Sequence, residues 1–390
     1  LFDAITDRRM PKQVAFLILR MCAVPLAQYW IRTTPPTASA DLADDFDNTI
    51  MRLMDSLLNI TLPNDLARKQ LSLPVKMGGF GLRSMKQVAH ASWVASLAQA
   101  VQYTASLADG NALSRDLSME VEGALFQLSQ IPDMEPLPKV ATEFWNRFMS
   151  SPAGPGLQRI LSGTIHEENR NTLRTEVGDN IFETARLTAV SAENAGLWLT
   201  SAPTHHLLRM RDDHFTVAAR LRLGLKPFED VRNCNCGESL NMEPSHFLSC
   251  STLLKSMTLR HNKVLLNLAQ LAGILHVPTQ IEPRVDHKDR KRTDGLFIFQ
   301  EEPLAIDVSI THPQARSYVS AAKTQLGAAL LRERKKNNDY GKRQADQGVR
   351  FLPVVMETMG GFGPLAENFI KAMTKDAYLT GSNAVVQGNV

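Results

Sequence analysis

Apolar positions are dense from residue 11 to 32 and stop at Thr33-Thr34-Pro35-Pro36, where two prolines cannot continue a helix. Ser39 and Asp41 offer N-caps for a second helix reaching about residue 59, with Phe46, Ile50, Leu53, Met54, Leu57 and Leu58 on one face. The run Leu71-Ser72-Leu73-Pro74-Val75-Lys76-Met77-Gly78-Gly79-Phe80-Gly81-Leu82 carries three glycines and predicts a tight loop. A third helix follows over about 84–103, and residues 104–200 read as helical with weaker patterning. Residues 151–156, rich in proline and glycine, mark a linker or turn. A helix is expected over about 252–274. Strands then follow at 295–300, 304–310 and 349–356, with a helix over about 315–338 before the last. That alternation predicts an α/β domain.

Composition narrows the classes. The chain has 390 residues, 44% apolar and 21% charged, which suits two or three globular domains and excludes bulk disorder. No run reaches the ~18 uninterrupted apolar residues of a membrane span. The longest candidate, residues 14–31, is broken by Arg20, Pro25 and Gln28, so no membrane partner is expected. The start, Leu1-Phe2-Asp3-Ala4, does not read as a signal peptide, and a chain opening on Leu is expected to be a piece of a longer protein. Four cysteines are too few for a disulfide scaffold of this size.

Three of the four cysteines fall together: Cys234, Cys236 and Cys250, with His246 between them. Thiolates and an imidazole suit a tetrahedral Zn²⁺. Gly237 permits a tight turn after the first pair, and His246 and Cys250, four apart, fit one helical face. Such a site would give about 10–16 kcal/mol of apparent binding energy to a segment with little core of its own. His261 is a further candidate ligand, read mainly as a helix-surface residue.

A second constellation is acidic. If residues 300–303 form the turn of a hairpin, Phe299 faces Leu304 and Asp294 faces Ser309. Asp307 then shares a face with Asp294 on a diagonal of about 7–8 Å. Two carboxylates so placed would hold Mg²⁺ between them, whereas a slip of one residue would separate them. Asp307 interrupts the apolar positions Ala305, Ile306, Val308 and Ile310, and a charge there needs a reason. Residues 332–336 follow with four cations, of which one lysine is expected to point at the metal. The chain's net charge is only +3, but 284–292 hold five basic and two acidic residues and 332–343 hold six basic and two acidic. These local excesses flanking the acids fit a polyanionic substrate.

The ordered set resembles the C-terminal portion of non-LTR retrotransposon polyproteins that carry a CCHC zinc knuckle and a restriction-like, PD-(D/E)XK-type endonuclease. Arg32-Thr33-Thr34-Pro35-Pro36 and Gly78-Gly79-Phe80-Gly81-Leu82 are similar to the reverse-transcriptase thumb. His214-Phe215 through Arg220-Leu221-Arg222-Leu223-Gly224 resembles the stretch before the knuckle. Cys234, Cys236, His246 and Cys250 match the CCHC, and Thr293-Asp294 stands where the family has Pro-Asp. Asp307-Val308-Ser309 occupies the second acidic strand, and Lys336, four residues before Tyr340, occupies the nuclease lysine's position. Residues 351–358 resemble the strand that follows.

The resemblance implies an all-α N-terminal half, a small knuckle and a C-terminal α/β nuclease. The implied boundaries are 1–110 for the thumb-like region, 111–225 for a helical linker, 226–255 for the knuckle, 256–375 for the nuclease and 376–390 for a tail. It implies structural Zn²⁺, and Mg²⁺ on Asp294 and Asp307, with Lys336 assisting attack by water. Arg209, Arg211, Arg220, Arg222, Arg290, Lys291, Arg292 and Lys335 would meet nucleic acid. The implied partners are target DNA, element RNA and a polymerase palm absent from this chain, and the implied location is the nucleus. Lys335 and Lys323 remain alternatives to Lys336, and Glu282 is a candidate additional acid. Leu42-Ala43-Asp44-Asp45 mimics a palm turn but reads as the start of a helix. Two non-catalytic readings stand beside the nuclease: a nucleic-acid-binding remnant and a zinc-stabilised protein-interaction scaffold.

Overall fold

The computed structural model describes every residue except 1, 6, 8, 62–64, 108–114, 232, 242, 284–292, 300, 301, 347 and 380–390. It is mostly helical, with one small mixed four-stranded sheet. The chain divides into two units: Leu1–Gly178 with Trp198–Leu223, and Asp179–Leu197 with Gly224–Val390.

In the first unit, α1 spans Lys12–Thr33. By length and composition alone it is apolar enough to cross a membrane, a test that a core helix also passes, and Arg20, Pro25 and Gln28 interrupt it. Its Ala15, Phe16, Leu19, Ala23, Val24 and Ile31 are buried. Pro25 has no N–H to give the preceding turn, and a π-helical turn at Leu19–Ala23 adjoins it. The next helix, α2 (Pro36–Leu58), begins earlier than the expected caps. Pro36 is preset for a first turn, and Ser39 lies buried inside it, bonded to Pro36 O. After α3 (Asp65–Ser72) comes the glycine loop, where a Cβ on Gly79 would sit 2.0 Å from Leu73 O. Phe80 emerges from that loop edge-on to Phe16, 5.8 Å between centroids.

Helices α4 (Met85–Leu107), α5 (Arg115–Ser129), α6 (Ala141–Ser150) and α7 (Leu157–Val177) close a second core around Trp93, Val94, Leu125, Phe144 and Leu161. Helix α8 (Ile181–Val190) belongs to the second unit, whereas α9 (Asp212–Arg222) returns to the first and packs Phe215 on Phe16.

In the second unit, α10 (Leu254–Ile274) precedes the sheet. Its strands are β1 (Thr279–Ile281), β2 (Gly295–Phe299), β3 (Glu302–Thr311) and β4 (Arg350–Glu357), in that spatial order. Pairing is antiparallel except between β3 and β4, which are parallel. The short, mostly polar β1 carries too little alternation to be seen in the sequence. Along β3 the side chains alternate between two buried faces. Leu304, Ile306 and Val308 join Leu265 and Leu268 of α10, Phe297 of β2, and Phe369 and Met373 of α13 (Pro364–Leu379) in one core. The opposite face carries Asp307, Ser309 and Thr311, all buried.

The helix expected over 315–338 is shorter than predicted. A 3₁₀ turn at Ala321–Lys323 is followed by α11 (Gly327–Lys336), a π-helical turn Asn337–Gly341 and α12 (Lys342–Asp346). Leu326 has φ +58°, and Gly327 lies so close to Ala321 O that a Cβ would meet it at 1.8 Å, which separates the two pieces. Of the expected tail, residues up to Leu379 belong to α13 and residues 380–390 lie outside the described residues.

Candidate functional site

The ligand atoms of Cys234, Cys236, His246 and Cys250 lie within 4.8 Å of one another. A tetrahedral site with Zn–S near 2.3 Å has ligand–ligand edges of about 3.8 Å, so the four donors fit one ion with small adjustment. Backbone chemistry builds the turn. Cys234 N donates to Glu238 O and Gly237 N to Cys234 O, both at 2.8 Å, and Gly237 takes φ +92°. His246 starts a 3₁₀ turn, His246–Leu248, and Cys250 follows in extended backbone, in place of the expected helical face. His246 Nε2 lies 3.1 Å from Cys236 Sγ, while Nδ1 lies 3.6 Å from Glu243 Oε2, which orients the ring toward the sulfurs. A hydrogen bond with Thr252 brings the Cys250 thiol down to about 6, favouring the thiolate a metal needs. Among the described residues Leu240, Phe247 and Leu253 are the apolar side chains that pack with the cysteines here, so a metal such as zinc would supply what this small core lacks.

The second cluster gathers at β3. Gly295 pairs with Ile306 and Phe299 with Glu302, so the hairpin turn is two residues shorter than expected. The register along β2 and β3 therefore moves by two, and Asp294, just before β2, sets its carboxylate against the stretch of β3 that carries Asp307. Asp294 N donates to Ile306 O at 2.9 Å, and Asp294 Oδ2 accepts Val308 N at 2.6 Å. The same Oδ2 lies 3.0 Å from His261 Nε2 on α10. Asp307 Oδ2 lies 2.7 Å from Lys336 Nζ, and Ser309 Oγ approaches it at 3.5 Å. Among the described residues Oδ2 of each acid is tethered and neither Oδ1 has a hydrogen-bond partner.

Lys336 closes α11, and its ammonium lies 5.1 Å from the centre of the Tyr340 ring. Tyr340 in turn stacks on Phe351 of β4 at 5.6 Å. Arg332, one turn earlier, donates to Ser309 Oγ at 3.3 Å. Lys335 and Lys323 are both exposed, and among the described residues only Lys336 reaches an aspartate. Burial raises the Asp307 carboxyl, Lys336 pulls it back down, and Asp294 pushes it up. The hydrogen bond to Asp294 lifts His261 to about 9.

Sequence reasoning placed His261 on a helix surface or at the zinc. It stands instead at the acidic pair, 33 residues before Asp294 in the chain. No local pattern marks it. The side chain of Glu282 is exposed, and its backbone N–H donates to Asp294 O at 2.8 Å.

The expected nucleic-acid residues divide. Arg209, Arg211 and Lys335 are exposed, with Arg211 paired to Asp213 at 2.8 Å. Arg220 and Arg222 are buried, a correction to their expected exposure. Arg220 donates to Leu58 O and Asn59 O, and Arg222 to Gly79 O and Val75 O, so they brace loop carbonyls where a phosphate was expected. Arg290, Lys291 and Arg292 lie outside the described residues.

A buried polar chain adjoins the zinc-type cluster. Gln314 Nε2 donates to Phe182 O, and Ser245 Oγ donates to Gln314 Oε1. Ser245 therefore accepts from His312 Nε2–H at 3.1 Å, leaving Nδ1 to accept from Thr358 Oγ1 at 2.7 Å. Burial takes His312 down to about 3, which keeps this neutral tautomer.

No protein-family model matches the chain. In an alignment of 389 residues that covers 96% of the chain, it is 24% identical to the retrotransposable element SLACS 132 kDa protein of Trypanosoma brucei gambiense. The chain spans 27% of that relative's length. An alignment running through both units supports a retrotransposon-derived protein with a role within a retrotransposon protein.

Proposed function

We propose that the second unit is a metal-dependent DNA endonuclease of the restriction-like type, acting within a retrotransposon protein, with the Cys/His cluster as a structural zinc knuckle. The observation that carries this reading is the meeting of Asp294, Asp307 and Lys336 on one side of β3. Asp294 and Asp307 are the residues to hold Mg²⁺, which would bring positive charge to a scissile phosphate and its attacking water. Lys336, fixed by Asp307 and Tyr340, orients the water and stabilises the charge that gathers on the phosphoryl oxygens. The water oxygen bonds to phosphorus as the bond to the 3′ oxygen breaks. The leaving oxygen takes a proton, giving a 3′-OH and a 5′-phosphate.

That 3′-OH would prime reverse transcription of element RNA by a palm elsewhere in the protein, on nuclear DNA. Residues 1–110 would serve as the thumb-like region and 111–225 as a helical linker. Exposed Arg209, Arg211 and Lys335 are suited to phosphate contacts.

Plasmid nicking with Mg²⁺, by wild type and Asp307→Ala, tests the assignment. Cleavage by wild type and its loss in the variant are expected. Equal cleavage by both, or none by either, overturns it. Salt-dependent binding without cleavage would mark a non-catalytic remnant, and no affinity at physiological salt would mark a scaffold.

A further inference from the structure

His261 has no part in the expected constellation, yet its imidazole is built into it. It projects from the first half of α10, and its Nε2 lies 3.0 Å from Asp294 Oδ2. That oxygen also receives the Val308 amide at 2.6 Å. Two donors converge on one carboxylate oxygen, so rotation of the Asp294 carboxylate about its last bond would cost both contacts at once. Oδ1 is thereby held on the side away from these donors.

The neighbouring residue keeps α10 in place. Arg260 is partly buried and donates from Nη2 to Leu248 O at 3.1 Å, at the end of the 3₁₀ turn that begins at His246. On the ring's other side, His261 Nδ1 lies 3.1 Å from Asn262 Oδ1, which fixes the imidazole plane. The ring therefore has both nitrogens engaged and a helix anchored one residue away.

We propose that His261 is a positioning residue for the acidic site, its Nε2–H holding Asp294 Oδ2 so that Oδ1 is presented to a divalent cation. This rests on the nuclease reading for the cation's role. His261 itself does not touch substrate. A carboxylate held by outer hydrogen bonds binds metal more tightly than one free to rotate, because the ordering is already present before the ion arrives.

The test measures Mn²⁺ binding to the zinc-loaded full chain by electron paramagnetic resonance, with melting temperature recorded alongside. His261→Leu removes the donor, whereas His261→Gln carries an amide N–H that reaches the same oxygen. The Leu variant is expected to remain folded, with a melting temperature lowered by loss of the His261–Asp294 pair, and to lose affinity by about 10- to 100-fold, and Gln to recover most of the lost affinity. Wild-type affinity in the Leu variant, or a Gln variant no better than Leu, overturns the proposal. Should His261→Leu fail to fold, His261→Asn, whose shorter amide falls short of Asp294, is measured against Gln with the same two outcomes. Asp307→Ala separates the underlying reading. If it binds Mn²⁺ as wild type does, the acidic pair is not the cation site and both readings fall. If it loses Mn²⁺ while His261→Leu does not, only the positioning role falls.

Discussion

Glu357 ends β4 and turns its carboxylate to the first turn of α11, where Oε1 accepts Ala329 N at 3.1 Å. The residue is 4% exposed, and Oε2 has no partner among the described residues. Burial lifts its carboxyl from 4.5 to about 7 against the pull of the Ala329 and Ala328 amides. Between those values the folded chain keeps a proton that the unfolded chain releases. The stability from this group is thus complete below pH 4.5 and is lost as pH rises through 7. From pH 5 to 8 the loss amounts to about 2.5 kcal/mol for this one carboxyl. Glu357→Gln keeps an acceptor for Ala329 and cannot ionise. An amide left unpaired at the Oε2 position would lower the variant by about 1–3 kcal/mol at every pH, without altering the slope. His312 changes stability in the opposite sense, losing its contribution as pH falls below 6.5 toward 3, but it does so equally in both proteins. Urea unfolding followed by circular dichroism at pH 5 and 8 gives the comparison. All four tryptophans lie in the first unit, so their fluorescence serves as an internal control and should not differ between the proteins. Wild type should lose about 2.5 kcal/mol more than Glu357→Gln across that interval. Equal slopes would refute the argument that burial holds Glu357 protonated near neutral pH.

Chelating a metal loaded on the Cys/His cluster should reach the sheet, because Ser245, next to His246, bonds His312 at the end of β3, and His312 bonds Thr358 past the end of β4. Faster amide exchange at Thr358, whose N donates to Thr311 O at 2.9 Å, is the expected result; unchanged protection after metal loss would show that the cluster does not brace the strands. Arg222→Ala should cost the first unit about 2–4 kcal/mol in tryptophan-monitored urea unfolding, since it strips Gly79 O and Val75 O of a buried donor. On the proposed nuclease function, it should leave the salt dependence of DNA binding unchanged. Lys335→Ala, by contrast, should spare stability and reduce that salt slope by about one; the reverse pattern would return Arg222 to the phosphate-binding set.

The parts that were legible in the sequence are those written in a local period. The faces of α2 and β3 follow spacings of 3.6 and 2, and the Cys-x-Cys turn follows from its glycine. The acidic pair was legible for a related reason. The hairpin turn is two residues shorter than the pattern predicts, but a shift of two restores the same face, which keeps Asp294 and Asp307 together. A shift of one would have parted them. What stayed hidden was set by burial. Arg220 and Arg222 have the same sequence signature as cations facing a phosphate, and only folding shows that loop carbonyls hold them. His261 is the converse case. It reads as one more polar position on a helix surface, because the partner that gives it a role arrives 33 residues later on another element. The two errors have one origin. A polar side chain's meaning lies in its partner, and partners at long sequence separation leave no trace in periodicity. In the acidic site the pair that faces across a hairpin was therefore readable, while the histidine that holds one member of that pair was not.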